Sequence, residues 1–186
     1  MSFLADHEIA ALGTDLVQPF HLACVEPASI DMHLSDELLV PDISNVRFVD
    51  LADPVDFMSH VRITGDGYVL HPGEFVLGVT EERVTIPSNI VGKIEGKSSL
   101  GRLGLMVHVT AGFIDPGFRG PITLEMKNLL QIPIVLRPGR KICQIAFAYM
   151  NSSVKKPYNG RYQDSKGVVA SRYGDQAGKP VTGEMA

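Results

Sequence analysis

Apolar and polar residues alternate along most of the chain in short runs, the period of a strand that buries one face. Ile30, Met32 and Leu34 alternate with Asp31, His33 and Ser35, and Phe75, Leu77 and Val79 take up the same rhythm after Pro72-Gly73. Val107 and Val109 alternate with His108 and Thr110; Ile122, Leu124 and Met126 alternate with Thr123, Glu125 and Lys127. Ile134 and Leu136 lead through Pro138-Gly139 to an apolar run from Ile142 to Phe147. Eighteen glycines and 12 prolines separate these runs, as turns between strands require. A helix is predicted only near the start, capped by Asp6 and ended by Gly13, with Leu4, Ile9 and Leu12 on its apolar side.

No long helical pattern lies between the strands, which excludes a doubly wound sheet and favours an all-β sandwich, jelly roll or distorted barrel. After Met150 the composition turns polar and rich in Gly, Ser, Lys and Asn. The expected organisation is a β domain over 1–150 and a mobile tail or lid over 151–186.

Composition narrows the classes further. A chain of 186 residues, 45% hydrophobic and 20% charged, reads as one soluble domain with a core of its own. The formal charge of -4 supplies no global field for nucleic acid or an anionic membrane, so neither is an expected partner. Asp6, His7 and Glu8 stand where a signal peptide would be apolar, and the expected location is the cytoplasm. Cys24 and Cys143 are then expected to be reduced, buried thiols.

Three segments can carry chemistry. Gly92-Lys93-Ile94-Glu95-Gly96-Lys97-Ser98 has one residue too few between its glycines for a Walker A loop, and no helical pattern follows. What remains is a turn in which Lys97, Ser98, Ser99 and Arg102 gather charge and hydroxyl donors between Gly96 and Gly101, either a phosphate cradle or a basic solvated turn. Asp115 sits among apolar residues before Pro116-Gly117, where its side chain either caps an Asx turn or serves a pocket. Glu125 lies on the polar face of an apolar strand and is either solvated or a pocket carboxylate. The two cysteines stand far apart, which fails the P-C-x-x-C test of zinc deaminases, and the histidines show no ligand spacing. No metal bound by protein side chains is expected.

The blocks Glu95 to Gly104, His108 to Phe118 and Ile122 to Glu125, in this order and spacing, resemble the dCTP deaminase family, which shares its fold with trimeric dUTPases. Weaker likeness covers Pro27 to Asp31, His71 to Phe75, Pro138 to Gln144, Pro157-Tyr158 and Ser171-Arg172. The resemblance implies a distorted jelly roll of the β-clip type, a homotrimer with sites at subunit boundaries, and a C-terminal segment that closes over dCTP or dUTP. It implies Glu125 as general base, with Ser98 and the backbone near Ala111 holding the water and developing oxyanion. Lys97, Ser99, Arg102, Tyr158 and Arg161 would hold the triphosphate, aided by Mg²⁺ bound through phosphate oxygens and without zinc. Asp115, Gln144 and Ser165, with Leu100, Gly101, Thr123 and Leu124, complete the implied contacts.

Gly112-Phe113 resembles the relatives that also cleave the phosphoanhydride and release dUMP, with Asp115 placed for the second water; dUTP-forming relatives carry His-Arg there. The tail points the other way. Arg161-Tyr162-Gln163-Asp164-Ser165 departs from the Lys-Tyr-Gln-Gly-Gln of dUMP-forming members, and the segment from Gly167 to Arg172 resembles the dUTP-forming group. The expected activity is deamination of dCTP with release of dUMP; the alternatives are a deaminase that stops at dUTP and a nucleotide-binding regulator.

Overall fold

The computed structural model describes residues 2–176. The predicted helix, α1 (Asp6–Leu12), forms and ends at Gly13, whose N–H bonds to the Ile9 carbonyl. Its cap differs from the expectation: Ala5 holds the N-cap position and Asp6 is the first helical residue. Glu8 reaches back to accept the Ala5 N–H at 2.9 Å, which satisfies an orphan donor without a capping side chain.

Eight strands of three or more residues follow: β1 (Ser29–Pro41), β2 (Met58–Arg62), β3 (Tyr68–Leu70), β4 (Phe75–Thr85), β5 (Ile90–Gly96), β6 (Arg119–Asn128), β7 (Ile134–Leu136) and β8 (Lys141–Tyr149). The order β5-β8-β1-β4-β6 forms the spine of one antiparallel sheet, with β2 on the edge of β1, while β3 and β7 make a separate pair. β1 is long enough to serve both ends of this spine. Its residues Ile30 to His33 pair with β8, and from Leu34 onward it pairs with β4 and β2. The sheet curls around a main cluster in which Ile30, Met32, Ile94, Ile145 and Phe147 meet Leu34, Val76, Val84, Leu124 and Met126. Most of these come from the alternating apolar positions that the strand period predicts, but β4 departs from the expected phase: Val76 and Val84 are buried in the cluster, whereas Phe75 and Leu77 are half-buried because they face a cavity on the other side of the sheet.

A buried polar pair ties β1 to β4. Glu82, 3% exposed, accepts the His33 backbone N–H at 2.9 Å and bonds the His33 ring Nδ1 at 2.5 Å. Cys24 and Cys143 are both free and buried, and burial pushes both thiols above their ordinary range.

The predicted strand around Val107 to Thr110 does not form. Only Leu105–Met106 pairs, against β6, and the chain then runs as a loop to a two-residue strand, Phe113–Ile114, on β5. The physical reason is a competing acceptor: the Val109 and Thr110 N–H groups, which a ladder would need, both donate to the carboxylate of Glu125. Likewise Ser98–Gly101 makes one helical turn, α2, where the sequence carried no helical pattern.

Residues 151–176 contain no strand and only a 3-10 turn, yet they dock against the sheet. Tyr158 N–H bonds to Pro116 O and Asp164 N–H to Arg119 O, both at 2.8 Å. Val168 is 4% exposed and packs on Leu39 and Val79. Gly117 makes room for this path: its φ is +95°, and a Cβ there would stand 2.6 Å from Pro157 Cβ and 2.8 Å from Tyr158 N.

Candidate active site

Alternation on β6 sets the chemistry. Leu124 and Met126 are 1% and 0% exposed in the core, so Thr123 and Glu125 face the opposite side of the strand. Both line a cavity of about 770 Å³ together with Ala111, Phe113 and Asp115. Phe75 and Leu77 of β4 wall it on the neighbouring strand, where Leu77 pairs with Glu125. Tail residues Tyr158, Tyr162, Ser165 and Arg172 and the loop from Val49 to Met58 complete the lining.

Glu125 is fixed by three donors on one oxygen. Oε2 accepts the N–H groups of Val109 and Thr110 at 3.1 and 3.2 Å and the Thr110 hydroxyl at 3.4 Å. Oε1 makes no hydrogen bond among the described residues, so one oxygen orients the group and the other can exchange a proton. Asp115 differs, since its carboxylate makes no hydrogen bond among the described residues. The turn at Asp115 to Phe118 is closed by the Asp115 backbone carbonyl, which accepts the Phe118 N–H at 3.0 Å, and the carboxylate is not spent on an Asx turn. Gly112 stands behind this loop, its carbonyl accepting the Ile94 N–H; a Cβ there would come 3.3 Å from His108 Nε2. Phe113 is 68% exposed, an open aromatic face on the lining.

The hydroxyl-rich turn lies elsewhere. Lys97, Ser98, Ser99 and Gln144 line a second pocket of about 350 Å³ with Glu26, Pro27 and Ser29. Gln144 accepts the Ser29 hydroxyl at 3.0 Å and donates to Gly96 O at 3.2 Å, bridging β1, β8 and β5. Beneath this pocket is a residue whose role the sequence did not announce. Asp31 has a side chain 1% exposed and forms ion pairs with Lys97 Nζ on Oδ1 and with Lys141 Nζ, 3.0 Å from Oδ2. Burial pushes its carboxyl up, but the two ammonium groups outweigh burial and hold it below its ordinary range, while Asp31 raises Lys141. The Lys97 ammonium is therefore turned inward onto Asp31. A carboxylate on the polar phase of an apolar strand was the available signal.

The remaining sequence-derived residues fall around these two pockets. Leu100 packs against the core and Leu124 is buried in it, which leaves their backbone for any ligand. Gly101 and Arg102 are exposed around the end of α2 and line neither pocket. Arg161 donates to the carbonyl of Arg172, and Arg172 to that of Arg161, so these two guanidinium groups clasp the tail; only Arg172 reaches the cavity lining. The Arg172 guanidinium stands 5.9 Å from the Tyr162 ring centre. Gln163 is fully engaged, accepting Arg119 N–H at 3.0 Å and donating to Gly117 O at 2.9 Å. It anchors the tail. Among the described residues no three His, Cys, Asp or Glu side chains gather as metal ligands would, and no helix is long and apolar enough to cross a membrane.

The curled all-β frame thus presents an oriented carboxylate, Glu125, and an exposed one, Asp115, to one cavity, an arrangement in which a carboxylate can activate water. Residues 3–150 match the dCTP deaminase-like family, and the chain belongs to it. A protein of Leifsonia xyli subsp. xyli named dCTP deaminase, dUMP-forming, is 44% identical over 179 residues, covering 91% of this chain and 89% of the relative. A Mycobacterium avium protein of the same name is 45% identical, with 91% and 94% covered. The crystal structure of the 2′-deoxycytidine 5′-triphosphate deaminase of Agrobacterium tumefaciens superposes with a TM-score of 0.64 at 26% identity. That superposition covers 80% of this chain, which spans about half (48%) of the other's length.

Proposed function

We propose that the protein hydrolyses dCTP to dUMP, diphosphate and ammonia. The observation that carries this reading is the state of Glu125: held through Oε2 and open at Oε1, on the lining of a cavity that also contains Asp115. In the first step Oε1 takes a proton from water as the water oxygen bonds to C4 of the cytosine ring. The proton passes to the exocyclic nitrogen, the C4–N bond breaks and ammonia leaves, and the proton remaining on the C4 oxygen moves to N3 to give the uracil carbonyl. Donors already in place for the developing oxyanion lower this barrier, a role for Ser98 and the backbone at Ala111. In the second step a water oriented by Asp115 attacks the α-phosphorus and diphosphate departs. Phe113 leaves space for that water.

Glu125 and Ser98 line separate pockets of one chain, which supports a site completed by a second copy and a closed homotrimer. Ser99, Arg102, Tyr158 and Arg161 take the phosphates, and Lys97, its ammonium paired with Asp31, aids by holding that turn in place; Gln144 and Ser165 take the base or sugar edge, and Thr123 with the backbone of Leu100, Gly101 and Leu124 the rest. The substrate is the Mg²⁺ complex of the nucleotide, the cation being held through phosphate oxygens and water, ligands that suit a hard cation. Two free, buried thiols fit a reducing cytoplasm. Residues 1–150 act as the catalytic β domain and 151–176 as its cover. The described part of the tail is docked; 177–186 lie outside the described residues.

Incubation with dCTP and Mg²⁺ followed by chromatography tests both steps. The expected products are equimolar ammonia, dUMP and diphosphate. Stoichiometric dUTP with ammonia would retain the deaminase and remove the second step; no ammonia would remove both.

A further inference from the structure

Six polar contacts tie the tail to the start of the strand that carries Glu125 and to the strand beside it. Arg119, which opens β6, accepts the Asp164 N–H with its carbonyl at 2.8 Å and gives its own N–H to Gln163 Oε1 at 3.0 Å. Its guanidinium meets the Asp164 carboxylate with both prongs, Nε to Oδ1 at 3.1 Å and Nη2 to Oδ2 at 2.7 Å. Arg83 of the adjoining strand β4 donates to Ser165 O at 3.0 Å and stands 3.9 Å from Asp164 Oδ1. To make these contacts Asp164 takes φ +53°, the left-handed region that Asp, Asn and Gly tolerate and most side chains avoid.

We propose that Asp164 is a positioning residue: its two-pronged pair with Arg119 latches the strap from Tyr158 to Arg172 over the Glu125 cavity before a nucleotide arrives. This rests on the reading of that cavity as the nucleotide site. The latch fixes the strap to the same strand as the general base, so Tyr158, Tyr162 and Arg172 meet the ligand already in place. Ordering them beforehand removes a cost that binding would otherwise carry, so the benefit falls on affinity rather than on chemistry. The Arg119 guanidinium holds the Asp164 carboxyl below its ordinary range, so the pair is ionised at neutral pH. Both side chains are about half exposed, 54% for Arg119 and 51% for Asp164, so salt screens the pair.

The test uses the full chain with Asp164→Asn, which tolerates the same backbone but lacks the charge, and Asp164→Gly, which also relieves the backbone. For both, KM for dCTP rises about two- to fivefold, the scale of an exposed ion pair, while kcat changes less than KM. The ratio of variant to wild-type KM shrinks toward one in about 0.5 M NaCl. The thermal midpoint of Asp164→Gly stays at or above that of the wild type. In the nucleotide-free protein, amide hydrogen exchange across residues 158–172 is faster in both variants. A wild-type KM in Asp164→Gly, a KM ratio indifferent to salt, or a lowered midpoint with unchanged KM overturns the proposal. If the wild type releases no ammonia from dCTP, the cavity reading fails instead, and hydrogen exchange alone decides the latch: equal exchange in wild type and variants removes it.

Discussion

The two pockets that hold the candidate residues are built on opposite principles. Around Glu125 the floor is rigid sheet, β4 and β6, while the cover is a tail held by exposed hydrogen bonds, ion pairs and one buried valine. Around Ser98 and Ser99 the described residues supply no cover, and rigidity comes from below, where buried Asp31 ties Lys97 and Lys141 together. A carboxylate that must handle water needs exclusion of bulk solvent, which a removable cover supplies. A cradle for phosphate needs fixed donors on an open surface. Division of labour between a covered and an uncovered half makes sense if the two meet only when a second copy brings its turn to the first copy's cavity.

The largest effects should come from breaking this division. Glu125→Gln keeps an acceptor for the Val109 and Thr110 N–H groups but cannot take a proton, so deamination falls by about 10²- to 10⁴-fold with the fold intact. Ser98→Ala is also impaired. Co-expressed in equal amount, the two inactive chains should regain about a quarter of wild-type activity, because random assembly of a closed ring pairs an intact Glu125 with a neighbour's intact Ser98 in that share of sites. No recovery would place both residues of a working site in one chain and remove the comparison's lesson.

Asp31→Asn attacks the uncovered half. It leaves two lysine ammonium groups without their shared counter-charge, and because both lysines are partly exposed and can turn to water, the loss falls below that of a fully buried pair, about 1–3 kcal/mol. Denaturant unfolding should report that loss. The sign of its pH dependence follows from the direction of the shift. With the folded carboxyl held below its ordinary value of 3.8, the stabilisation is complete above that value and fades as pH falls through the lower, folded value. The gap between wild type and variant should therefore be wide at neutral pH and close in strong acid.

The two halves also differ in how far the sequence exposes them. Glu125 was legible because Ile122, Leu124 and Met126 set a strand phase that leaves it on the polar face. The turn from Lys97 to Ser99 was legible from donor density alone. Asp31 occupies the same phase as Glu125 does on its own strand, and pattern alone cannot tell a polar face that meets solvent from one covered by lysine side chains distant in sequence. Val107 to Thr110 misled for a related reason: alternation was present, but Val109 is 47% exposed and its N–H serves a carboxylate rather than a ladder. The polarity of the tail fits a mobile end and a lid equally well; its docking comes from side chains that find partners on β4 and β6, information that composition does not carry.

The smallest expected effect concerns Val168, the most buried apolar side chain of the tail among the described residues. Val168 packs on Leu39 of β1 and Val79 of β4, and it is the tail residue that the core cluster on that face takes in at 4% exposure. Its backbone N–H also donates to Glu37 Oε2 at 3.3 Å, a bond that a side-chain truncation leaves in place. Val168→Ala removes two methyl groups from a shallow site whose surroundings can settle, a loss of about 1–1.5 kcal/mol. Because the sheet beneath does not depend on the tail, that loss should appear as easier opening of the cover and not as a lower unfolding midpoint of the β domain. The measurement is limited proteolysis within 151–172 alongside calorimetry: cleavage should accelerate by about five- to tenfold, the same free energy expressed as a population of open tail. Equal cleavage with a lowered midpoint would show that the tail is part of the core's cooperative unit, and the contrast between a rigid floor and a removable cover would then be wrong.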